Sequence, residues 1–153
     1  MKVLVVGGGG REHAICECLS RSKRVKKIYA TPGNAGIASI AECVDISVMD
    51  FQGLIDLVKK EGIDLSIIGM DDPLCAGIVD AFESEGLKVF GPRKAAAILE
   101  GSKAFSKELM KKYSIPTAEY ECFDNYDKAA AYLENCKYPT VIKADGLALG
   151  KGV

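Results

Sequence analysis

Four apolar residues, Val3-Leu4-Val5-Val6, run straight into four glycines, Gly7 to Gly10, and then into Arg11-Glu12-His13-Ala14-Ile15-Cys16-Glu17-Cys18-Leu19. An apolar run closed by glycines and followed by a mixed stretch predicts strand, tight turn, helix. The same grammar recurs downstream. Lys27-Ile28-Tyr29-Ala30 predicts a second strand, followed by the turn-rich Thr31-Pro32-Gly33-Asn34-Ala35-Gly36. Cys43-Val44-Asp45-Ile46 predicts a third strand. Phe51, Leu54, Ile55 and Val58 stand at i, i+3, i+4 and i+7, which predicts a helix capped by Asp50 and ended by Gly62. Residues 64–69 predict a buried strand, and Asp72-Pro73 reads as N-cap and first position of a helix reaching about Glu85. Lys88-Val89-Phe90 predicts a fifth strand, with Gly91-Pro92 opening the next turn and helix.

Strands alternating with helices imply an α/β fold with a parallel sheet. Ligands of such sheets bind beyond the carboxyl ends of the strands. The loops at those ends, residues 7–13, 31–36, 69–73 and 91–93, are expected to form one site. The pattern changes near residue 100, placing a boundary within residues 99–102 and dividing the chain into 1–100 and 101–153. After it, Gly101-Ser102 caps a helix expected over residues 103–113 with Phe105, Leu109 and Met110 inward. Strands are expected over residues 118–123 and 138–143, separated by a helix starting at Asn125 or Asp127. The segment is thin for a free domain, so it is expected to open a longer one.

Glycine runs at strand ends are where anion chemistry enters. Residues 7–13 bring backbone N–H groups and the positive end of a helix dipole to one point, which suits phosphate. The dinucleotide fingerprint G-x-G-x-x-G fails in both frames, because Glu12 or His13 stands where its third glycine should be. A second loop, Lys143-Ala144-Asp145-Gly146-Leu147-Ala148-Leu149-Gly150-Lys151-Gly152-Val153, offers glycines and two lysines, and Lys103 adds another positive charge. Its spacing is not that of a P-loop.

Composition narrows the classes. The 153 residues are 48% hydrophobic, enough for a packed core. Twenty Lys and Arg nearly balance 21 Asp and Glu, for a net charge of −1, so duplex nucleic acid is a poor partner. No apolar run approaches a membrane span, and the first is too short for a signal peptide. The six cysteines include no C-x-x-C, and His13 is the single histidine, which argues against zinc. The cysteines are expected to be small apolar fillers of a reduced, cytoplasmic protein.

Five stretches together resemble the phosphoribosylamine–glycine ligases, also called glycinamide ribonucleotide synthetases: residues 7–13 (GGGGREH), 31–36 (TPGNAG), 91–103 (GPRKAAAILEGSK), 115–120 (IPTAEY) and 141–153 (VIKADGLALGKGV). They span the chain in order. The resemblance implies a Rossmann-like pre-ATP-grasp domain over 1–100, binding phosphoribosylamine, and the start of an ATP-grasp domain over 101–153. It implies ligation of glycine to 5-phosphoribosylamine with ATP and Mg²⁺ (or Mn²⁺), through a glycyl phosphate, in purine biosynthesis. Carried over by position, Gly8, Gly9, Gly10 and Arg11 would cradle the 5-phosphate. Glu12, Asn34 and Gly36 would lie near the ribose or phosphate, and Asp71 near the ribose. Lys103, Lys143, Gly146, Gly150, Lys151 and Gly152 would meet ATP. The metal, adenine and glycine ligands are expected beyond Val153, leaving these 153 residues catalytically inactive by themselves. The chain has Gly69-Met70-Asp71 where many members have Gly-Pro-Glu, so its carboxylate is one methylene shorter. Three other readings remain open: another ATP-grasp ligase or carboxylase, a dinucleotide-dependent oxidoreductase domain, and a non-enzymatic module. The oxidoreductase would want an acid after the second strand, where the chain has Ala30-Thr31-Pro32.

Overall fold

The computed structural model describes residues 1–148 and 153. Strands β1 (Lys2–Gly7), β2 (Lys27–Pro32), β3 (Glu42–Cys43), β4 (Leu65–Ile68) and β5 (Val89–Phe90) form one parallel sheet in the order β3-β2-β1-β4-β5. Helix α1 (Gly10–Ser20) links β1 to β2 and α2 (Phe51–Glu61) links β3 to β4. Helices α3 (Asp71–Ala76) and α4 (Ile78–Ser84) lead to β5, and α5 (Lys94–Gly101) follows it.

β1 lies between β2 and β4 and has no exposed face. Val5 points into a cluster with Cys16 of α1, Ile28, Ala30 and Ile37. Leu4 and Val6 point the other way, into a cluster with Leu54, Leu57 and Val58 of α2 and Ile78, Val79 and Phe82 of α4. An unbroken apolar run is what a strand covered on both faces requires. The order of strands reverses between β1 and β4, so the loops that leave their carboxyl ends diverge there and leave a crevice.

α2 matches its sequence signals. The Asp50 carboxylate accepts the Gly53 N–H at 3.0 Å, and Gly62 closes the helix at φ 62°. The helix expected from Asp72 to about Glu85 is different. Met70 is its cap residue, Asp71 its first, and Gly77 at φ 103° breaks it into α3 and α4. Gly77 can adopt that left-handed conformation without a Cβ penalty, so one apolar period becomes two short helices. The third strand is also shorter and earlier than expected, covering only Glu42 and Cys43.

The contacts divide the chain into compact units of Met1–Ala97 and Ile98–Val153. The second holds α6 (Lys103–Lys112) and α7 (Tyr126–Leu133), capped by Ser102 and Asn125. The strands expected over residues 118–123 and 138–143 do not form among the described residues. Val141 and Ile142 are exposed there, with no ladder partner to order them. Leu109 and Met110 of α6 are half-buried as expected, but Phe105 is exposed. The cysteine expectation also fails in part: Cys16 is buried, while Cys18, Cys43 and Cys122 are exposed. Residue type favours burial, but position on an element decides it. Among the described residues, no helix is long and apolar enough to cross a membrane.

Leu54 is fully buried against β1. Leu54→Ala is expected to cost about 2–5 kcal/mol of stability in a urea titration; a loss below about 1 kcal/mol would show that the α2 face does not carry the core.

Candidate functional site: the glycine loop at the strand reversal

β1 ends at Gly7, whose φ of 133° turns the chain toward α1. Gly9 is the N-cap of α1 and offers no side chain to the helix's first N–H groups, which have no intrahelical acceptors. Gly9 and Gly10 are exposed, and nothing lies within 4 Å of where a Gly10 Cβ would be. The opening of the loop is therefore accessible backbone.

Three consecutive side chains then leave α1 in three directions. Arg11 reaches the β4–α3 loop, donating through Nη1 to the Gly69 carbonyl at 3.0 Å and to Asp71 Oδ1 at 3.2 Å. Both side chains stay open to solvent, Arg11 at 65% and Asp71 at 36%. Glu12 folds under the loop and is 3% exposed. Its Oε2 accepts the Gly9 N–H at 2.6 Å, which is half of a capping box. Its Cγ lies 2.5 Å from where a Gly7 Cβ would be and 2.7 Å from where a Gly69 Cβ would be. His13 packs on the β2 loop, its Cε1 2.6 Å from where a Gly36 Cβ would be.

The β2 loop is stitched to the glycine loop as well. Gly33 donates its N–H to Gly7 O at 3.3 Å. Asn34 Nδ2 donates to Gly8 O at 2.8 Å, while its Oδ1 accepts the Ile37 N–H at 2.9 Å. A Cβ on Gly8 would come within 2.5 Å of Gly33 O. The structure thus brings together Gly8, Gly9, Gly10, Arg11, Glu12, Asn34, Gly36 and Asp71. Glu12 is turned inward as a brace rather than outward as a contact. The fourth expected loop does not join by any polar side chain: Arg93 Nε donates to Glu83 Oε2 at 2.6 Å, and Gly91 packs on Leu74 and Val79. An open hollow of about 600 Å³, lined by Met1, Arg24, Asp64, Leu65 and Lys88, lies at the amino ends of β1, β4 and β5, away from these loops.

The loops over residues 7–13 and 31–36 are expected from the sequence to meet, but no spacing signal marks His13 as the side chain that packs on Gly36.

The second unit has its own arrangement around the start of the second glycine loop. Asp145 Oδ1 accepts the Lys103 N–H at 2.7 Å and the Ala104 N–H at 3.1 Å, and the Ser102 hydroxyl donates to Oδ2 at 3.0 Å. Lys103 Nζ donates to Gly146 O at 2.7 Å. Lys103 and Gly146 are therefore neighbours, while Lys143 is exposed. Gly150, Lys151 and Gly152 lie outside the described residues. Asp145's role has no local signature along the chain, because its partners sit more than forty positions earlier.

Two outcomes follow from these contacts. Gly69→Ala should destabilise the protein by about 1–3 kcal/mol through overlap with Glu12, and the penalty should shrink in a Glu12→Ala background; additive losses would remove Glu12 as the cause. The Ala104 N–H, followed by the Ser102 hydroxyl and the Gly146 and Lys103 N–H groups, holds the Asp145 carboxyl below its usual range. Its contribution is then complete above the ordinary value of about 3.9 and is lost as pH falls through the lower folded value. Hydrogen-exchange protection of the Lys103 and Ala104 amides should drop on acidification in that window, and Asp145→Asn should flatten the dependence. An already flat profile in the unaltered protein would contradict it.

Known proteins resemble the chain along its whole length. The profile of the "Phosphoribosylglycinamide synthetase, N domain" matches residues 1–100, and that of the "Phosphoribosylglycinamide synthetase, ATP-grasp (A) domain" matches residues 101–153. A curated phosphoribosylamine–glycine ligase of Caldanaerobacter subterraneus subsp. tengcongensis is 58% identical over 153 residues, covering all of this chain and 37% of that protein. The crystal structure of a phosphoribosylamine–glycine ligase from Thermotoga maritima superposes with a TM-score of 0.74 at 33% identity, over 99% of this chain and 35% of that one. A biotin carboxylase domain of Hydrogenobacter thermophilus 2-oxoglutarate carboxylase, in complex with MgADP, shares the fold at a TM-score of 0.72 and 20% identity, over 96% of this chain and 35% of that one. The chain spans little more than a third of the length of the relatives it matches. With a parallel sheet, a braced glycine loop at its strand reversal, and a profile match over residues 1–100, the chain belongs to the phosphoribosylglycinamide synthetase family.

Proposed function

We propose that this chain supplies the phosphoribosylamine-binding domain, residues 1–100, and the opening of the ATP-grasp domain, residues 101–153, of a cytoplasmic ligase that joins glycine to 5-phosphoribosylamine. The reaction consumes ATP and gives glycinamide ribonucleotide, ADP and phosphate, as a step of purine biosynthesis. The observation that carries this reading is the convergence of three strand-end loops on the backbone of half-buried Gly8 and exposed Gly9 and Gly10, beside Arg11.

Each residue has a part that follows from where it stands. The amides at the start of α1 would take the 5-phosphate, with the helix dipole favouring the negative charge. Arg11, pre-oriented by Gly69 O and Asp71, would add the charge-assisted bond. Asn34 and Gly36 would shape the ribose side, with Asn34 holding the Gly8 carbonyl in place. Glu12 would act by bracing the loop. Asp71 would act through Arg11 more than by reaching the ribose itself.

The glycine carboxylate would accept the terminal phosphoryl group of ATP, giving glycyl phosphate. The amine of phosphoribosylamine would then attack the acyl carbon, and phosphate would leave. Lys103 beside Gly146, with Lys143, would face ATP phosphates. Mg²⁺ or Mn²⁺, when bound, neutralises phosphate charge. The described residues do not fit as its holders: they contain no cluster of three candidate ligands, and the Asp145 carboxylate is committed to the start of α6. Glycine and phosphoribosylamine are the small-molecule partners.

In the full-length enzyme, Arg11→Ala should raise the phosphoribosylamine KM about tenfold or more and leave the ATP KM nearly unchanged, because only one ligand loses a charge-assisted bond. Steady-state kinetics with each substrate varied separately checks this, and equal damage to both KM values would sink the division between the two loops.

A further inference from the structure

The buried carboxylate of Glu12 opposes the chemistry proposed for the loop above it. A phosphate loop gains from every N–H it presents and from every positive charge nearby. Glu12 takes the Gly9 N–H at 2.6 Å and fixes a negative charge in the first turn of α1. The side chain is held firmly in place. Glu12 is 3% exposed, and the space it fills exists because Gly7 and Gly69, on the strand ends facing it, lack side chains.

The charged groups around the loop are few. Arg11 is the cation that crosses it, and Arg11 is already shared with Asp71. His13 turns away onto Gly36. One phosphate group can be met by the open amides and by Arg11. A second phosphate joined to it would add negative charge in a loop where the Glu12 and Asp71 carboxylates already outweigh the one arginine. In dinucleotide folds the position of Glu12 is a glycine, and the pyrophosphate lies at the helix start unopposed.

We infer that Glu12 is a specificity residue, whose buried carboxylate admits a phosphomonoester to the first glycine loop and rejects a diphosphate. The inference rests on the reading of that loop as a phosphate site, and goes beyond it by naming what sets the ligand class.

The test uses full-length protein labelled with ¹⁵N-glycine, following the Gly8, Gly9 and Gly10 amide signals. The probes are ribose 5-phosphate and inorganic pyrophosphate. In the unaltered protein, pyrophosphate should bind at this loop about tenfold more weakly than ribose 5-phosphate. Glu12→Gln keeps an oxygen for the Gly9 N–H and removes the charge. It should tighten pyrophosphate about tenfold at these amides while changing ribose 5-phosphate by less than about threefold. Equal gains for both probes, or no gain for either, would overturn the inference. So would an unaltered protein that takes pyrophosphate as readily as ribose 5-phosphate, a comparison that does not depend on the variant folding. A loop whose glycine amides ignore ribose 5-phosphate altogether overturns the phosphate reading itself, and the inference falls with it.

Discussion

One buried carboxylate organises the region where β1 hands over to α1. Glu12 could not be buried there unless two conditions held together. Its charge needs a donor, which the Gly9 N–H supplies, and its volume needs room, which Gly7 and Gly69 leave. The nucleotide folds solve the same packing problem with the small residue on the helix, so that the helix can approach the strand. Here the small residues are on the strands and the large one is on the helix. The exchange preserves close packing while placing a carboxylate beneath the loop.

From that brace the neighbouring contacts follow. With Glu12 fixed, Arg11 and His13 are directed to opposite sides, one toward the β4–α3 loop and one toward the β2 loop. Asn34 and Gly33 close the second side through the carbonyls of Gly8 and Gly7. These bonds tie loops that are 26 and 58 residues apart in sequence, so loop geometry and sheet register are set as a unit. Such pre-organisation favours binding, because the loops need little further ordering when a ligand arrives.

Much of this was readable along the chain. The strand–glycine–helix opening, the α2 face and its Asp50 cap, the parallel sheet and the failure of the third-glycine rule are all local patterns. The strands expected over residues 118–123 and 138–143 did not form, because a strand-like stretch does not supply its own pairing partner. The break at Gly77 was missed because an apolar period continues across it. Exposure of Phe105, Cys18 and Cys43 was missed because residue type says what a side chain prefers and not what covers it.

The sequence by itself determined the strand–helix alternation, the glycine turn that follows β1 and the failure of the dinucleotide pattern, since each rests on periodicity or on backbone freedom within a few residues. Only the tertiary structure decided what Glu12, His13, Asp71 and Asp145 do. Their surroundings come from distant elements: the space left by Gly69 for Glu12, Gly36 for His13, Arg11 for Asp71 and the start of α6 for Asp145. A carboxylate or an imidazole has no intrinsic direction in sequence. It acquires one when the fold brings a donor or a matching space within reach.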